Sequence, residues 1–432
     1  MASRPLPAPP PASTAARHSA HRHLSDLRGA TRLAADATLG LAQLVEAMHA
    51  RIASVPGLRG PEQTSGITGF VYKSIRGVTR LVGGSVDGVL GLLQPLLAPA
   101  ADGAAAAAAG AAGTAGAATA AVPPPREREA ILAVLNGVLG DHLAATGNPL
   151  ATPMQVRHAG LPLTLERSAL HAALPQASGQ LLVLVHGLCM NDLQWRRLGH
   201  DHGAALAQEL GYTPVYLHYN SGLPVHVNGL ALAQQLQALL AAWPVPLQRV
   251  ALLGHSMGGL LIRSALQQGT ALGQTWPAQV HDVVFLGTPH HGAPLERAGH
   301  WVDIVLGATP YAAPLARLGK IRSAGITDLR HGALLAPQGG MQSAPVPLPP
   351  QPRCHAVAAS TGAQAGDLKH RWLGDGLVPV DSALGRHADA ARQLDFAADS
   401  QLVLHGLNHM DLLSSPEVMV ALRRWLGGVQ RA

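Results

Sequence analysis

The sequence is short of most things that a disulfide-braced, metal-holding or nucleic-acid-binding protein needs. Only two cysteines, Cys189 and Cys354, stand among 432 residues, too few for a disulfide framework and in no metal-ligand spacing. Aromatic residues make up 3%, so a core drawn from the 47% of hydrophobic residues must be built of Leu, Val and Ala. Lysine is scarce, and the formal charge of +6 rests on arginines scattered along the chain. No basic run is interleaved with aromatics, which argues against nucleic acid as a partner. The first stretch, "MASRPLPAPPPASTAARHSAHRHLSDLRG", lacks the apolar centre of a secretory signal. These absences give the expectation of a cytoplasmic protein, at most peripheral to a membrane or lipid surface.

What is present falls into blocks. Residues 1–23 are rich in Pro, Ala and His and read as disordered. Residues 24–98 read as helical. One apolar stripe runs through Leu41, Leu44, Val45, Met48, Ile52 and Val55, and another through Ile67, Val71, Ile75, Val78, Val82, Val86, Val89, Leu93 and Leu96. Lys73, Arg76 and Arg80 lie in the second, which makes a lipid surface a candidate partner for this block; an intramolecular helical hairpin is the plainer reading. Residues 99–125 form an Ala-, Gly- and Pro-rich linker.

From Arg126 the pattern changes. A helix through Ile131, Val134, Leu135 and Val138 leads to two short strands around a His-Ala-Gly-Leu-Pro turn. Apolar runs at 180–187, 213–220, 249–255, 280–290, 354–360 and 401–406 then alternate with helical stretches. An antiparallel start followed by repeated strand–helix units predicts an α/β fold over 126–432. Its central sheet would be mostly parallel, with helices on both faces.

The third of those runs passes straight into "GHSMG" and then into a helical pattern from Leu260. Gly254 and Gly258 suit a backbone bent too sharply for side chains, and the turn between them lifts Ser256 above the sheet edge. A serine hydroxyl is a weak nucleophile and needs a base, itself oriented by a carboxylate. In such a sheet the acid and then the histidine follow the serine, each in a loop after a later strand. Asp375, in a Gly-Asp-Gly turn, is preferred to Asp381, which reads as a helix cap. His409, in the loop after the final strand, is preferred to His405, which belongs to the strand. The oxyanion of acyl transfer needs two N–H donors, expected from Met257 and from Leu188 in "HGLCMNDLQW". His186, Gly187 and Met190 of that same loop are expected to border the substrate, with Cys189 as a small buried filler.

Taken in order, "LLVLVHGLCMNDLQW", "LLGHSMGGLLIRSA", "FLGTPHHGAP", "DGLVPVDSA" and "NHMDLLSSPEV" resemble α/β-hydrolases of the lipase and esterase type. The similarity is to the branch that holds triacylglycerol lipases and relatives of the GPI inositol-deacylase. It covers about residues 150–428 and implies a carboxylic-ester hydrolase with Ser256, Asp375 and His409 as triad. It implies no metal or organic cofactor, and structural roles for His290 and His291. The segment of about 293–352 has the size of a cap in this fold, and Trp301, Val302, Ile304, Val305 and Leu306 are apolar enough to cover a greasy substrate. A thioesterase, amidase or acyltransferase would use the same triad, and a binding protein could keep the fold without turnover.

Overall fold

The computed structural model describes residues 24–36, 125–293, 323–336, 345–363 and 374–427. Most of the expected helical block, both its apolar stripes, the linker and the greater part of the expected cap, including Trp301 to Leu306, lie outside these residues.

The chain divides into two units. The described part of the first is a helix over residues 24–36 together with Thr146–Leu150. Asn148 ties the two pieces by donating from Nδ2 to Gly29 O at 3.0 Å, while its Oδ1 accepts from Leu150 N–H at 2.9 Å. Arg32 Nη1 adds a bond to Gly147 O at 3.1 Å. Reading along the chain places 146–150 with all that follows Arg126; bonds spanning more than a hundred residues place them with the N-terminal helix instead.

The second unit is built on one eight-stranded sheet. Its strands are β1 (Gln155–His158), β2 (Leu161–Pro162), β3 (Gln180–Val185), β4 (Thr213–His218), β5 (Arg249–His255), β6 (Val280–Leu286), β7 (Arg353–Ser360) and β8 (Gln401–His405). Their spatial order is β2-β1-β4-β3-β5-β6-β7-β8. The β1–β2 and β1–β4 pairings are antiparallel and the rest are parallel. Ala159 (φ 50°) and Gly160 (φ 78°) make the tight turn of the opening hairpin, both left-handed as a two-residue hairpin of matching twist requires. The helices are α1 (Arg126–Ala145), α2 (Arg167–Ala173), α3 (His202–Leu210), α4 (Val225–Ala242), α5 (Met257–Ala271), α6 (Ala324–His331), α7 (Val380–Ala383) and α8 (Pro416–Leu426).

Leu181 to Val185 are fully buried, as the continuous apolar run of β3 demands of a strand covered on both faces. Leu182 and Leu184 join Ala251 and Leu253 of β5 against Leu206 of α3 and Val418 and Leu422 of α8. The intervening residues point the other way, where α5 lies against β3, β5 and β6 with α4 packed on it. Each such buried Leu or Val contributes about 1.5–3 kcal/mol relative to an exposed one. Among the described residues no helix is long and apolar enough to cross a membrane.

The strand order reverses at β3. The chain adds β4 on one side, then returns to lay β5, β6, β7 and β8 on the other. Loops leaving the carboxyl ends of β3 and β5 therefore diverge and open a crevice between them, the usual binding position in such sheets.

Candidate active site

Ser256 sits at that crevice. It ends β5 and caps α5 with φ 55° and ψ −124°, a conformation that L residues rarely adopt. The backbone is forced into it because α5 starts directly over the sheet. A Cβ on Gly258 would lie 2.2 Å from Val185 O, and one on Gly254 would lie 2.7 Å from Gly259 N. No side chain fits at either place. Ser256 N–H donates to Leu286 O at 2.8 Å, which locks the turn onto β6.

The preferred acid and base meet although 34 residues separate them. His409 Nδ1 donates to Asp375 Oδ2 at 2.6 Å, and His409 N–H to Asp375 O at 3.0 Å. The other carboxylate oxygen, Oδ1, accepts from the N–H groups of Leu377 (2.9 Å) and Val378 (2.8 Å). Asp375 is thus fixed by its own turn before it fixes His409. With Nδ1 holding the proton, Nε2 carries the lone pair, and it is buried without a hydrogen-bond partner. The rivals lie elsewhere. Asp381 is exposed in the first turn of α7, 3.6 Å from Arg386, and His405 is exposed at the end of β8.

The loop after β3 lies against Ser256. A Cβ on Gly187 would stand 3.0 Å from Ser256 Cβ, so only glycine lets this backbone come so close. Leu188 follows directly, and Cys189 is held left-handed at φ 57° with its N–H on Ser221 Oγ at 3.0 Å. Met257, the first residue of α5, has no intrahelical acceptor for its N–H. Met257 thus adjoins Ser256 in the chain, and Leu188 follows the glycine whose backbone approaches it.

His186 has no exposed surface. Its Nδ1 meets Gly187 O at 2.8 Å, its ring stacks on Tyr219 at 4.3 Å, and Tyr219 OH donates to its carbonyl at 2.8 Å. Burial pulls its pKa down to about 3, so the ring is neutral and shapes the loop from behind. Met190 is buried in the apolar cluster with Leu184, Trp195 and Met410. The Cys189 thiol, pushed up to about 12 by burial, is inert as a nucleophile.

Three residues near the site went unnoticed in the sequence. His255 lies under the base: its ring centroid is 4.7 Å from that of His409, and its Nε2 meets His409 O at 3.2 Å. Burial first, and His409 second, hold it well below the ordinary histidine range, so it stays uncharged there. Ser221 and Tyr219 hold the loop after β3 through Cys189 N–H and His186 O. Only the "GHSMG" position of His255 was a signal; the other two act through contacts more than thirty residues away.

Among the described residues one group could offer a metal three ligands, Glu129, Asp192 and His218. Arg157 Nη1 already sits 3.0 Å from Glu129 Oε2 and 3.3 Å from Asp192 Oδ1. The guanidinium supplies the positive charge an ion would bring, and the donors do not fit a metal beside it. Burial would raise Asp192, but His218 and Arg157 outweigh it and keep that carboxyl low.

Six parallel strands in this order, a strained serine between β5 and α5, and an acid–histidine pair in the loops after β7 and β8 together decide the architecture. The fold is that of the α/β-hydrolases. Residues 176–347 match the family model of the PGAP1-like alpha/beta domain. Among solved structures the chain is similar to the Bacillus licheniformis lipase BlEst2 in mature form, at 19% identity over 58% of this chain and 92% of that one, TM-score 0.37. It is similar to the Pyrococcus furiosus esterase Pf2001, at 14% identity over 58% and 84%, TM-score 0.35. A third is YbtT, a type II thioesterase of the yersiniabactin pathway, at 14% identity over 57% and 92%, TM-score 0.36. No curated protein matches the chain. Such α/β-hydrolases include lipases, esterases and thioesterases, and likenesses this distant say nothing of a substrate.

Proposed function

We propose that this α/β-hydrolase cleaves carboxylic esters of apolar acyl groups through an acyl-serine intermediate. The observation that carries the reading is the 2.6 Å bond from His409 Nδ1 to Asp375 Oδ2, which leaves a partnerless Nε2 on the sheet edge that bears Ser256. In this scheme Ser256 Oγ attacks the ester carbonyl while His409 Nε2 takes its proton. Asp375 keeps the imidazole in the right tautomer and stabilises the imidazolium. The tetrahedral oxyanion accepts from the N–H groups of Leu188 and Met257, which cost no reorganisation because Gly187, Cys189 and the elbow hold them. His409 then protonates the leaving alcohol. A water, deprotonated by the same nitrogen, attacks the acyl-serine and frees the acid and Ser256.

The apolar acyl group is supported by Leu188 and Met190 beside the nucleophile's loop and by the absence of a fixed charge among the expected pocket residues His186, Gly187 and Met190. Recruitment to a lipid surface through residues 24–98 belongs to the same proposal and is supported by the amphipathic pattern of that block. The test is labelling of the intact chain with a fluorophosphonate, paired with hydrolysis of nitrophenyl esters of increasing acyl length. Labelling and turnover should vanish together in Ser256→Ala. Turnover that survives this substitution, or an intact folded chain that neither labels nor hydrolyses any ester, overturns the reading.

A further inference from the structure

Seven residues beyond Ser256 on α5, about 10 Å along the helix axis, Arg263 is buried with no carboxylate to balance it. The residue is 4% exposed, yet none of the ion pairs among the described residues includes it. Nη2 donates to Val346 O, Nη1 lies 3.3 Å from His290 Nδ1, and Nε has no acceptor. Burial lowers its pKa only to about 10, so the cation persists at neutral pH. A buried, unpaired charge is costly enough that its persistence calls for a counter-charge.

His290 is the second half of the arrangement. Because a guanidinium can only donate, His290 Nδ1 must accept, and the proton of the neutral ring then sits on Nε2. That Nε2 is also buried without a partner. Two N–H donors on neighbouring side chains, Arg263 Nε and His290 Nε2, therefore lack acceptors. Both residues line a cavity of about 300 Å³, with His291, His331 and the half-buried Arg392 around it. Among the described residues Asp328 is the only carboxylate in the wall. Its Oδ2 already accepts Val225 N–H at 2.8 Å, and burial raises its pKa, so it opposes an anion weakly.

We infer that this cavity is a binding site for a small oxyanion, a phosphate or carboxylate group, held by Arg263 and His290 with Arg392 at its edge. The volume admits such a group with room for a short substituent, and forked guanidinium donors suit its paired oxygens. The site is separate from Ser256 and does not depend on the hydrolytic reading. The group can arrive free, as inorganic phosphate, or on the head of a phosphate-bearing lipid.

Calorimetric titration of the full chain tests this with two probes, inorganic phosphate and monomeric dihexanoyl phosphatidic acid, in chloride buffer at neutral pH. Saturable one-site binding of phosphate, competed by acetate or sulfate, is the expected result. If only the lipid binds, the source is a head group; if both bind, the site accepts the free anion. Arg263→Gln should weaken either by at least about tenfold, the loss of one charge-assisted contact. Arg392→Gln should weaken it by roughly threefold to tenfold, and it keeps the test valid if Arg263→Gln fails to fold. Ser256→Ala should bind as tightly as the parent, which separates this site from the catalytic reading. Absence of saturable binding by both probes, or an affinity unchanged in folded Arg263→Gln or in Arg392→Gln, overturns the inference.

Discussion

The two edges of the sheet are built on opposite terms. At the amino edge, Arg249 opens β5, Asp282 lies early in β6, and Arg353 and His355 open β7. Asp282 is fully buried, and its oxygens are taken by Arg249 Nη2 (2.8 Å), Arg353 Nη2 (2.8 Å) and His355 Nε2 (3.2 Å). At the carboxyl edge the backbone is left-handed at Ser256 and Cys189, and buried nitrogens of His186, His255, His290 and His409 have no partner. At the first edge only His355 Nδ1 among these groups lacks a partner, whereas the other edge is strained and short of several. The difference teaches where this fold keeps its reactivity. A nucleophile and a base must retain free lone pairs, and they can do so only where the rest of the sheet over-determines their positions.

The sharpest way to break the contrast is to remove chemistry without touching the packing. Ser256→Ala and His409→Ala should each lower kcat by roughly 10⁵-fold or more, and the double substitution by no more than either alone, because the two act as a unit. Steady-state turnover on a short-chain ester checks this, and additive losses would show that they do not. Next in size, Asp375→Asn should cost about 10⁴-fold through the wrong histidine tautomer, while Asp381→Asn, exposed and remote, should leave turnover nearly unchanged. Comparable losses in the two would reverse the choice of acid.

At the other edge the effect should be on stability alone. Asp282→Ala leaves Arg249 and Arg353 facing a gap and should destabilise the unit by about 3 kcal/mol in urea unfolding, with kcat per folded molecule unchanged. Acid should separate the edges as well. His186, held to about 3 by burial, stays neutral while its unfolded counterpart takes a proton below the ordinary histidine value of 6.5. Unfolded chains then bind more protons, so stability falls as pH drops below 6.5, by about 1.4 kcal/mol per pH unit for this ring. Burial raises the Asp282 carboxyl, but its His355 and Arg249 hydrogen bonds win and hold it below 3.8; its share of stability is lost only as pH falls below that value. Unfolding measured from pH 7 to 3 should show the first slope reduced in His186→Gln and the second in Asp282→Asn. The smallest effect is the most diagnostic. Ser256→Gly should raise stability by about 1 kcal/mol while abolishing activity, since glycine accepts the left-handed backbone without strain. A fall in thermal midpoint would mean the elbow carries no strain.

Much of this could be read from the residues, for a definite reason. β3, β5 and β6 are continuous apolar runs because both faces are covered, and a run of that kind is visible without its neighbours. The elbow was legible because Gly254 and Gly258 are demanded by local geometry; Asp375 was chosen for its Gly-Asp-Gly turn, while the N–H groups that hold its carboxylate are those of Leu377 and Val378 just beyond it. Thr146–Leu150 group with the N-terminal helix because Asn148 bonds Gly29, a partner 119 residues away that no local pattern announces.

Chain order and local sterics thus determined the sheet, the turn at Ser256 and the sequence of serine, acid and histidine. Tertiary structure alone decided what surrounds them. It set His255 beneath His409, Arg157 between Glu129 and Asp192, and Arg263 in a cavity wall with no ion-pair partner among the described residues. Histidine and arginine read the same in a sequence whether buried or exposed, paired or alone. Their charge and hydrogen-bonding depend on desolvation and on neighbours that only the folded chain brings within a few ångströms.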